Sequence, residues 1–192
     1  MLICLVGKSG SGKSTVANLL CMHSNDILHV DIDTISHQIV NQKEVSAKLV
    51  DTFGNSILKD NQINRKELGR IVFNSTECMQ KLEDITWPAM ESEIDKIITD
   101  HRNRIVLLDW QLLPKTKYFK TCNMKILVTA PLDIRMKRAM LRDGITEEKF
   151  QEREHASLSF DEEDFDYIVY NDDREKLDEE VLKIYEKSII HW

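Results

Sequence analysis

The chain has 192 residues, enough for one hydrophobic core, so a single domain is the default expectation. Hydrophobic residues make up 42% of it and charged residues 31%, which is typical of a soluble globular protein. The formal net charge of −7 argues against general nucleic-acid binding, which favours a basic face, and no apolar run approaches the length of a membrane span. We therefore expect neither a nucleic acid nor a membrane as a partner.

The four cysteines, Cys4, Cys21, Cys78 and Cys122, are widely scattered and form no C-x-x-C motif. This spacing predicts free thiols in a reducing cytoplasm rather than a zinc site or a disulfide framework. A glycine-rich loop begins at residue 7, where a cleavable signal peptide would lie. We therefore expect a cytoplasmic location.

The first predicted element is a buried strand, because Leu2–Val6 is a short continuous apolar run of the kind found in parallel sheets. Residues 7–15 follow with the pattern G-x-x-x-x-G-K-[ST], and residues 14–22 favour a helix. A strand, a glycine turn and a helix in this order are the context of a phosphate-binding loop. The alternative is a glycine-rich turn ahead of an ordinary helix.

The residue types of this loop match the chemistry of a bound polyphosphate. Gly7, Gly10 and Gly12 permit positive φ and leave no Cβ to block a phosphate. Backbone N–H groups then point inward at the positive end of the following helix. Lys13 would place its ammonium on the β- and γ-phosphates, and the Ser14 hydroxyl would bind Mg2+.

A pair of carboxylates follows the second predicted strand, which covers residues 27–30. Asp31 and Asp33 lie just past its carboxyl end, where open α/β sheets bind ligands. The alternative is that one of them caps the next helix, at residues 34–40. The residues alone leave both interpretations open.

The long segment from about residue 37 to residue 100 is predicted to be mostly helical. Its apolar residues keep helical spacing over 45–53, 65–73 and 79–98, with a loop and N-cap at 61–64 and a break or bend at Pro88. No strand is predicted between Val30 and Arg104. A plain helical crossover needs only about a dozen residues, so the excess length favours a substrate-binding subdomain.

The third predicted strand, residues 104–109, ends in Asp109, which is placed as a second magnesium-site acid would be. A fourth strand covers 124–129. The helix after it carries Arg138 and Arg142, which share a face because they are four residues apart. They would stabilise the charge of a transferring phosphoryl group, or they form an ordinary solvated helix face.

The chain ends with a short helix at 147–157, a fifth strand at 167–170 followed by Asn171, and a helix at 177–188. Strands and helices thus alternate, apart from the helical insertion. This pattern predicts an α/β fold with a parallel sheet and helices on both faces.

Several motifs together resemble the dephospho-coenzyme A kinase family, a group of phosphate-loop (P-loop) nucleoside-kinase-like enzymes, over nearly the whole chain. The segments that carry the resemblance are Asp31-Ile32-Asp33 and residues 53–73, 109–113, 138–146 and 166–171. The resemblance implies a P-loop NTPase three-layer α/β/α sandwich with a five-stranded parallel sheet. It implies a core of residues 1–36 and 101–192, a helical acceptor-binding insertion at 37–100 and a helical lid at about 138–165.

The resemblance also implies an activity, the ATP-dependent phosphorylation of the ribose 3′-hydroxyl of dephospho-CoA, with ATP and Mg2+ as the cofactors. Asp33 would then be the base near the attacking hydroxyl. The implied catalytic residues are Lys13, Asp33, Arg138 and Arg142. Those implied for the nucleotide are Gly7, Gly10, Ser11, Gly12, Lys13, Ser14, Thr15 and Asn171. Those implied for the acceptor are Asp33, Arg65, Phe73, Trp87 and Leu112, and those for the metal are Ser14 and Asp109. The expected assembly is a monomer or a weak homo-oligomer.

The chain departs from the family pattern mainly in the acceptor half and the lid. Lys8-Ser9 replace the usual Gly-Ile of the loop, and Trp87-Pro88 replace His-Pro. Residues 111–115 lose a proline and an acid, Ser157 falls where a glutamine is usual, and residues 160–164 are strongly acidic. Two alternatives follow, a kinase for another small acceptor such as a nucleoside or nucleotide, and a non-catalytic ATP-binding homologue.

Overall fold

Five short strands form one parallel sheet in the computed structural model, which describes residues 1–73, 75–172 and 174–192. The strands are β1 (Leu2–Val6), β2 (Ile27–Asp31), β5 (Ile105–Asp109), β6 (Met124–Thr129) and β7 (Tyr167–Tyr170). The strand order is β2-β5-β1-β6-β7, so that β1 lies at the centre between β5 and β6. The predicted five-stranded parallel sheet is confirmed.

Helices cover both faces of this sheet, as the buried, largely apolar strands β1 and β5 at its centre require. They are α1 (Lys13–His23), α6 (Lys117–Thr121), α7 (Leu132–Asp143), α8 (Glu147–Ala156) and α9 (Arg174–Ser188). Helices α1 and α9 pack together over one core, in which Leu5 of β1 contacts a layer that includes Leu20 and Val181. The sheet thereby fixes the loop between β1 and α1.

The chain divides into two compact units. The first contains Met1–Asp31 and His101–Trp192 and holds the whole parallel sheet. The second contains Ile32–Asp100 and begins where α2 follows β2 without an intervening loop. Its start lies five residues before the expected start of the insertion at residue 37.

In the described part of the second unit there are four α-helices, a 3-10 turn (Asn55–Ile57) and one hairpin. They are α2 (Ile32–Ile39), α3 (Lys43–Phe53), α4 (Arg65–Val72), α5 (Thr76–Asp100), and strands β3 (Leu58–Lys59) and β4 (Gln62–Ile63). Helix α5 packs against the other three and continues through Pro88. Of the predicted break or bend at Pro88, the break is therefore wrong, and the bend stays a prediction. Tertiary packing of α5, with Met90 and Ile94 buried after the proline, outweighs the lost backbone hydrogen bond.

The hairpin contradicts the prediction that no strand lies between Val30 and Arg104. Its strands pair antiparallel, and the turn residues Asp60 and Asn61 have φ of 51° and 61°. Two residues are too few to show the period-two alternation that identifies a strand. The N-cap expected within residues 61–64 is confirmed at Asn64, whose side-chain oxygen accepts from Lys66 N and Glu67 N.

Candidate functional site

The glycine loop after β1 closes on itself before α1 begins. Ser11 N donates to Lys8 O at 3.1 Å, and Gly12 O accepts the first hydrogen bonds of α1. Gly10 and Gly12 have φ of 78° and 94°, which L side chains rarely adopt. The backbone therefore takes a conformation that this glycine pattern permits and most other residues would strain.

Three neighbouring parts of the first unit lie in close contact with the glycines of the loop. A Cβ at Gly7 would lie 2.4 Å from Val128 O on β6, and one at Gly10 would lie 2.2 Å from Arg135 O on α7. A Cβ at Gly12 would lie 1.9 Å from Asn171 Nδ2, just after β7. The loop is thus held on several sides by the backbone and side chains of the first unit.

Two polar side chains of the loop fit a bound polyphosphate. Ser11 is fully buried, and its Oγ has no hydrogen-bond partner among the residues that the structure describes. Lys13 Nζ donates to Gly7 O at 2.8 Å, which holds the ammonium against the loop. Phosphate oxygens are negatively charged hydrogen-bond acceptors. The buried Ser11 hydroxyl can donate a hydrogen bond to such an oxygen, and the Lys13 ammonium at the helix N-terminus can offset its charge.

Arg138 reaches the loop through Asn171, a buried residue after β7. Arg138 Nη1 donates to Asn171 O at 2.9 Å, and Asn171 Nδ2 donates to Ser11 O at 2.8 Å. Arg138 therefore does not belong to a solvated helix face. Arg142 is different, because its side chain is 63% exposed, pairs with Asp143 and comes within 3.5 Å of Ser9 Oγ.

Asp109 lies buried at the end of β5, next to Leu5 of β1 and Asp31 of β2 in the sheet register. His29 Nε2 lies 3.2 Å from Asp109 Oδ2. The sequence analysis did not single out His29, because the pairing joins residues 80 positions apart. The partner of Asp109 in the register, Leu5, is two residues before Gly7, where the loop begins. A carboxylate at this position fits a role in binding a metal ion on the phosphates.

No group of three or more histidine, cysteine or acidic side chains in the described ranges has the arrangement of a metal site. Mg2+ does not need one, since it usually takes one or two protein oxygens together with substrate phosphates and water. The four cysteines are free thiols, as predicted. Among residues 1–73, 75–172 and 174–192, no helix combines the length and the apolar character of a membrane span.

A second group of charges lies beside the loop, and the sequence analysis did not identify the pairing that joins its members. Arg135 is 7% exposed and forms a bidentate pair with Glu154 of α8, to which Lys8 of the loop also donates. The hydrogen bonds from Arg135 lower the pKa of Glu154 to about 2; burial opposes this shift, and the hydrogen bond from Lys8 adds to it. Glu154 is therefore ionised at neutral pH.

In the second unit, Asp33 is the second residue of α2, so it lies in the first helical turn and is not the cap. The guanidinium of Arg65, at the start of α4, donates to His37 Nε2 one turn further along α2. Burial lowers the pKa of Arg65, and the nearby Asp33 carboxylate opposes that shift. The structure thus brings together Asp33, Arg65 and His37, the last of which the sequence analysis did not identify.

The other predicted acceptor residues are Phe73, Trp87 and Leu112. Phe73 is the C-cap residue after α4 and is 77% exposed, with its ring near Gly69. Trp87 is half-buried on α5. Leu112 belongs to the first unit, where it precedes a short 3-10 turn at Leu113–Lys115. These three positions remain predictions.

Comparisons with known proteins agree with this architecture. The sequence model of a family described as dephospho-CoA kinase matches residues 1–176. A dephospho-CoA kinase of Aquifex aeolicus is 34% identical over 189 residues, which is 95% of each chain. A crystal structure of a Thermus thermophilus protein superposes with a TM-score of 0.86 at 25% identity, covering 98% of this chain and 97% of that one.

A dephospho-CoA kinase structure from Campylobacter jejuni has a TM-score of 0.62 at 22% identity, with 97% of this chain and 96% of that chain covered. This likeness shows the fold. Together with the family match over both units, it makes the protein a kinase of the P-loop type. The chain belongs to the dephospho-CoA kinase family.

Proposed function

We propose that the protein transfers the γ-phosphoryl group of ATP to the ribose 3′-hydroxyl of dephospho-CoA, which gives CoA. The observation that carries the proposal is the phosphate loop, with its buried Ser11 hydroxyl and bound Lys13 ammonium, in a chain whose family match spans both units. A P-loop supplies the donor half of a kinase, and the family name supplies the acceptor.

On the donor side, the backbone N–H groups of the loop and Lys13 bind the β- and γ-phosphates. Arg138 and Arg142 offset the negative charge that develops on the transferring group. Ser11, Thr15 and Asn171 complete the nucleotide contacts. Ser14 and Asp109 would hold Mg2+, which neutralises phosphate charge when bound.

On the acceptor side, Asp33 accepts the proton of the 3′-hydroxyl as its oxygen attacks phosphorus in line with the leaving ADP oxygen. The Arg65 guanidinium near Asp33 favours the ionised carboxylate that such a base requires. We assign acceptor binding to the helical insertion, residues 37–100, with contributions from Phe73, Trp87 and Leu112. The lid is assigned to about 138–165.

We further propose that the enzyme works in the cytoplasm as a monomer or a weak homo-oligomer. The free state of all four cysteines agrees with a reducing compartment.

An acceptor panel tests the function. The purified chain, ATP and Mg2+ are incubated with dephospho-CoA and, separately, with a set of nucleosides and nucleotides, and ADP release is followed. We expect the highest kcat/KM with dephospho-CoA. Turnover of a nucleotide without any CoA formation at high enzyme concentration would overturn the assignment.

Two departures from the family pattern favour one second candidate, a kinase for a different small acceptor. Trp87 stands where the family has histidine, and residues 111–115 have lost an acid. Both changes fall on predicted acceptor contacts. Calorimetry adds a further distinction, since tight ATP binding without binding of any acceptor would indicate a non-catalytic homologue.

A further inference from the structure

One carboxylate of α8 joins three separate parts of the first unit. Glu154 Oε1 accepts from Lys8 Nζ of the phosphate loop at 2.7 Å and from Arg135 Nη2 of α7 at 3.0 Å. Its Oε2 accepts from Arg135 Nη1 at 2.8 Å. Both oxygens of Glu154 are therefore engaged by two cations from different elements.

This cluster is shielded from solvent. The side chains of Arg135, Glu154 and Lys8 are 9%, 17% and 26% exposed. A second pair on the same helix, Lys149 with Glu152, is 59% and 64% exposed. Charge-assisted, bidentate and shielded contacts are stronger than exposed ones, so the Glu154 cluster constrains α8 in a way that the outer pair does not.

The side chain and backbone of Arg135 also make contacts that do not involve Glu154. Its Nε donates to Ala130 O at 3.1 Å, its Nη1 lies 3.5 Å from Ser9 O, and its own carbonyl packs against Gly10. Helix α7 is therefore held against the loop by the backbone. Helix α8 is tied to α7 by Arg153, which donates to Asp143, and it contacts the loop through Glu154, which accepts from Lys8.

This geometry explains the presence of a lysine at position 8. It stands where the family loop usually has glycine, and its ammonium is bound to Glu154. The substitution in the loop thus has a partner in the lid segment, 146 residues later.

We propose that Glu154 is a positioning residue, which anchors α8 to the phosphate loop through Lys8 and Arg135 before the nucleotide binds. Nucleotide binding then does not have to order α8, and the affinity for ATP is higher than in a chain without the anchor. The proposal rests on the proposed function only in identifying the loop as the ATP site. Lys8 acts here through Glu154 and not as a second phosphate ligand.

The test compares Glu154→Gln with Glu152→Gln, which removes the exposed acid of the same helix. Hydrogen exchange of residues 147–156 is measured in the nucleotide-free protein, and ATP binding by calorimetry. For Glu154→Gln we expect exchange to accelerate about tenfold and the ATP dissociation constant to rise about fivefold, with kcat at saturating ATP nearly unchanged. Glu152→Gln should leave all three at the wild-type level.

A double-mutant cycle with Lys8→Met separates the two roles of that lysine. If Lys8 acts through Glu154, the double variant should bind ATP about as weakly as the weaker single variant. Effects that multiply would instead make Lys8 a phosphate ligand and overturn the proposal, as would wild-type exchange of α8 in Glu154→Gln.

Lys8→Met also serves as the milder variant if Glu154→Gln unfolds, because Lys8 is partly exposed and the family carries glycine there. Exchange and ATP binding need no acceptor. A wrong acceptor assignment would abolish CoA formation in the wild-type protein and leave both of these readouts intact, so the two failures are distinguishable.

Discussion

The two units hold their candidate residues in different ways. In the first unit the backbone sets the site, since a Cβ at Gly7, Gly10 or Gly12 would lie within 2.4 Å of a neighbouring atom. In the second unit a side-chain contact sets it, since Arg65 is held by His37 and influenced by Asp33. From this difference we infer that the glycines of the proposed donor site tolerate little sequence change, because any side chain would clash. The side chains of the proposed acceptor site can vary more. The three glycines are accordingly kept, and the departures from the family pattern fall at other positions, Lys8-Ser9, Trp87, Ser157 and residues 111–115 and 160–164.

Removing the ammonium of the loop is the strongest way to test the donor side. We expect Lys13→Ala to lower kcat/KM by about 10³-fold, because phosphate charge is left unmatched in the ground state and the transition state. Steady-state kinetics with ATP measure the effect. Lys149→Ala, an exposed lysine of α8, is the control and should stay at the wild-type rate. Near-normal turnover of Lys13→Ala would reject the assignment of the loop.

Asp33→Asn probes the base proposed in the second unit. We expect kcat to fall about 100-fold, because the amide cannot take the hydroxyl proton, with ATP affinity within about twofold of wild type. Calorimetry with ATP and kinetics with dephospho-CoA are compared on the same preparation. A collapse of ATP affinity would make Asp33 a metal ligand or a structural residue instead.

The variant His37→Ala tests whether the contact between His37 and Arg65 contributes to acceptor binding. Without its acceptor nitrogen Arg65 loses a fixed orientation, so we expect KM for dephospho-CoA to rise about tenfold. KM for ATP should not change. His23→Ala, which removes a histidine stacked on Tyr185 in the first unit, is the matched control. An unchanged acceptor KM would mean that Arg65 does not contact the acceptor in this way.

The smallest effect concerns the stability of the first unit in acid. The pKa of Glu154 is about 2 in the folded chain and 4.5 ordinarily, so its stabilisation is complete above pH 4.5 and is lost as the pH falls toward 2. We expect Glu154→Gln to remove about 1 kcal/mol of this pH-dependent stability, after allowance for screening. Urea unfolding at several pH values measures it. A slope identical to that of wild type would contradict the cause assigned to this pKa.

Much of the first unit could be predicted from the sequence, because continuous apolar runs mark β1, β6 and β7 and the loop motif demands particular residue types. The hairpin at Leu58–Ile63 was missed because strands of two residues carry no period. Of the break or bend predicted at Pro88, the break is absent because local propensity yields to the packing of α5.

The side-chain pairs could not have been predicted. His29 with Asp109, His37 with Arg65 and Lys8 with Glu154 join residues that are 80, 28 and 146 positions apart. Periodicity and local motifs contain no information on such pairs, which depend on how the strands and helices are placed. The sequence therefore indicated the donor chemistry in detail and the acceptor site only through family resemblance.

Transfer of a labelled phosphoryl group tests the central claim most directly. The chain is incubated with ATP labelled in the γ-phosphate, Mg2+ and dephospho-CoA, and the product is identified by mass spectrometry and phosphorus NMR. We predict CoA that carries the label as a 3′-phosphate. Label found only in inorganic phosphate or on a nucleotide, with dephospho-CoA unchanged, would contradict the account.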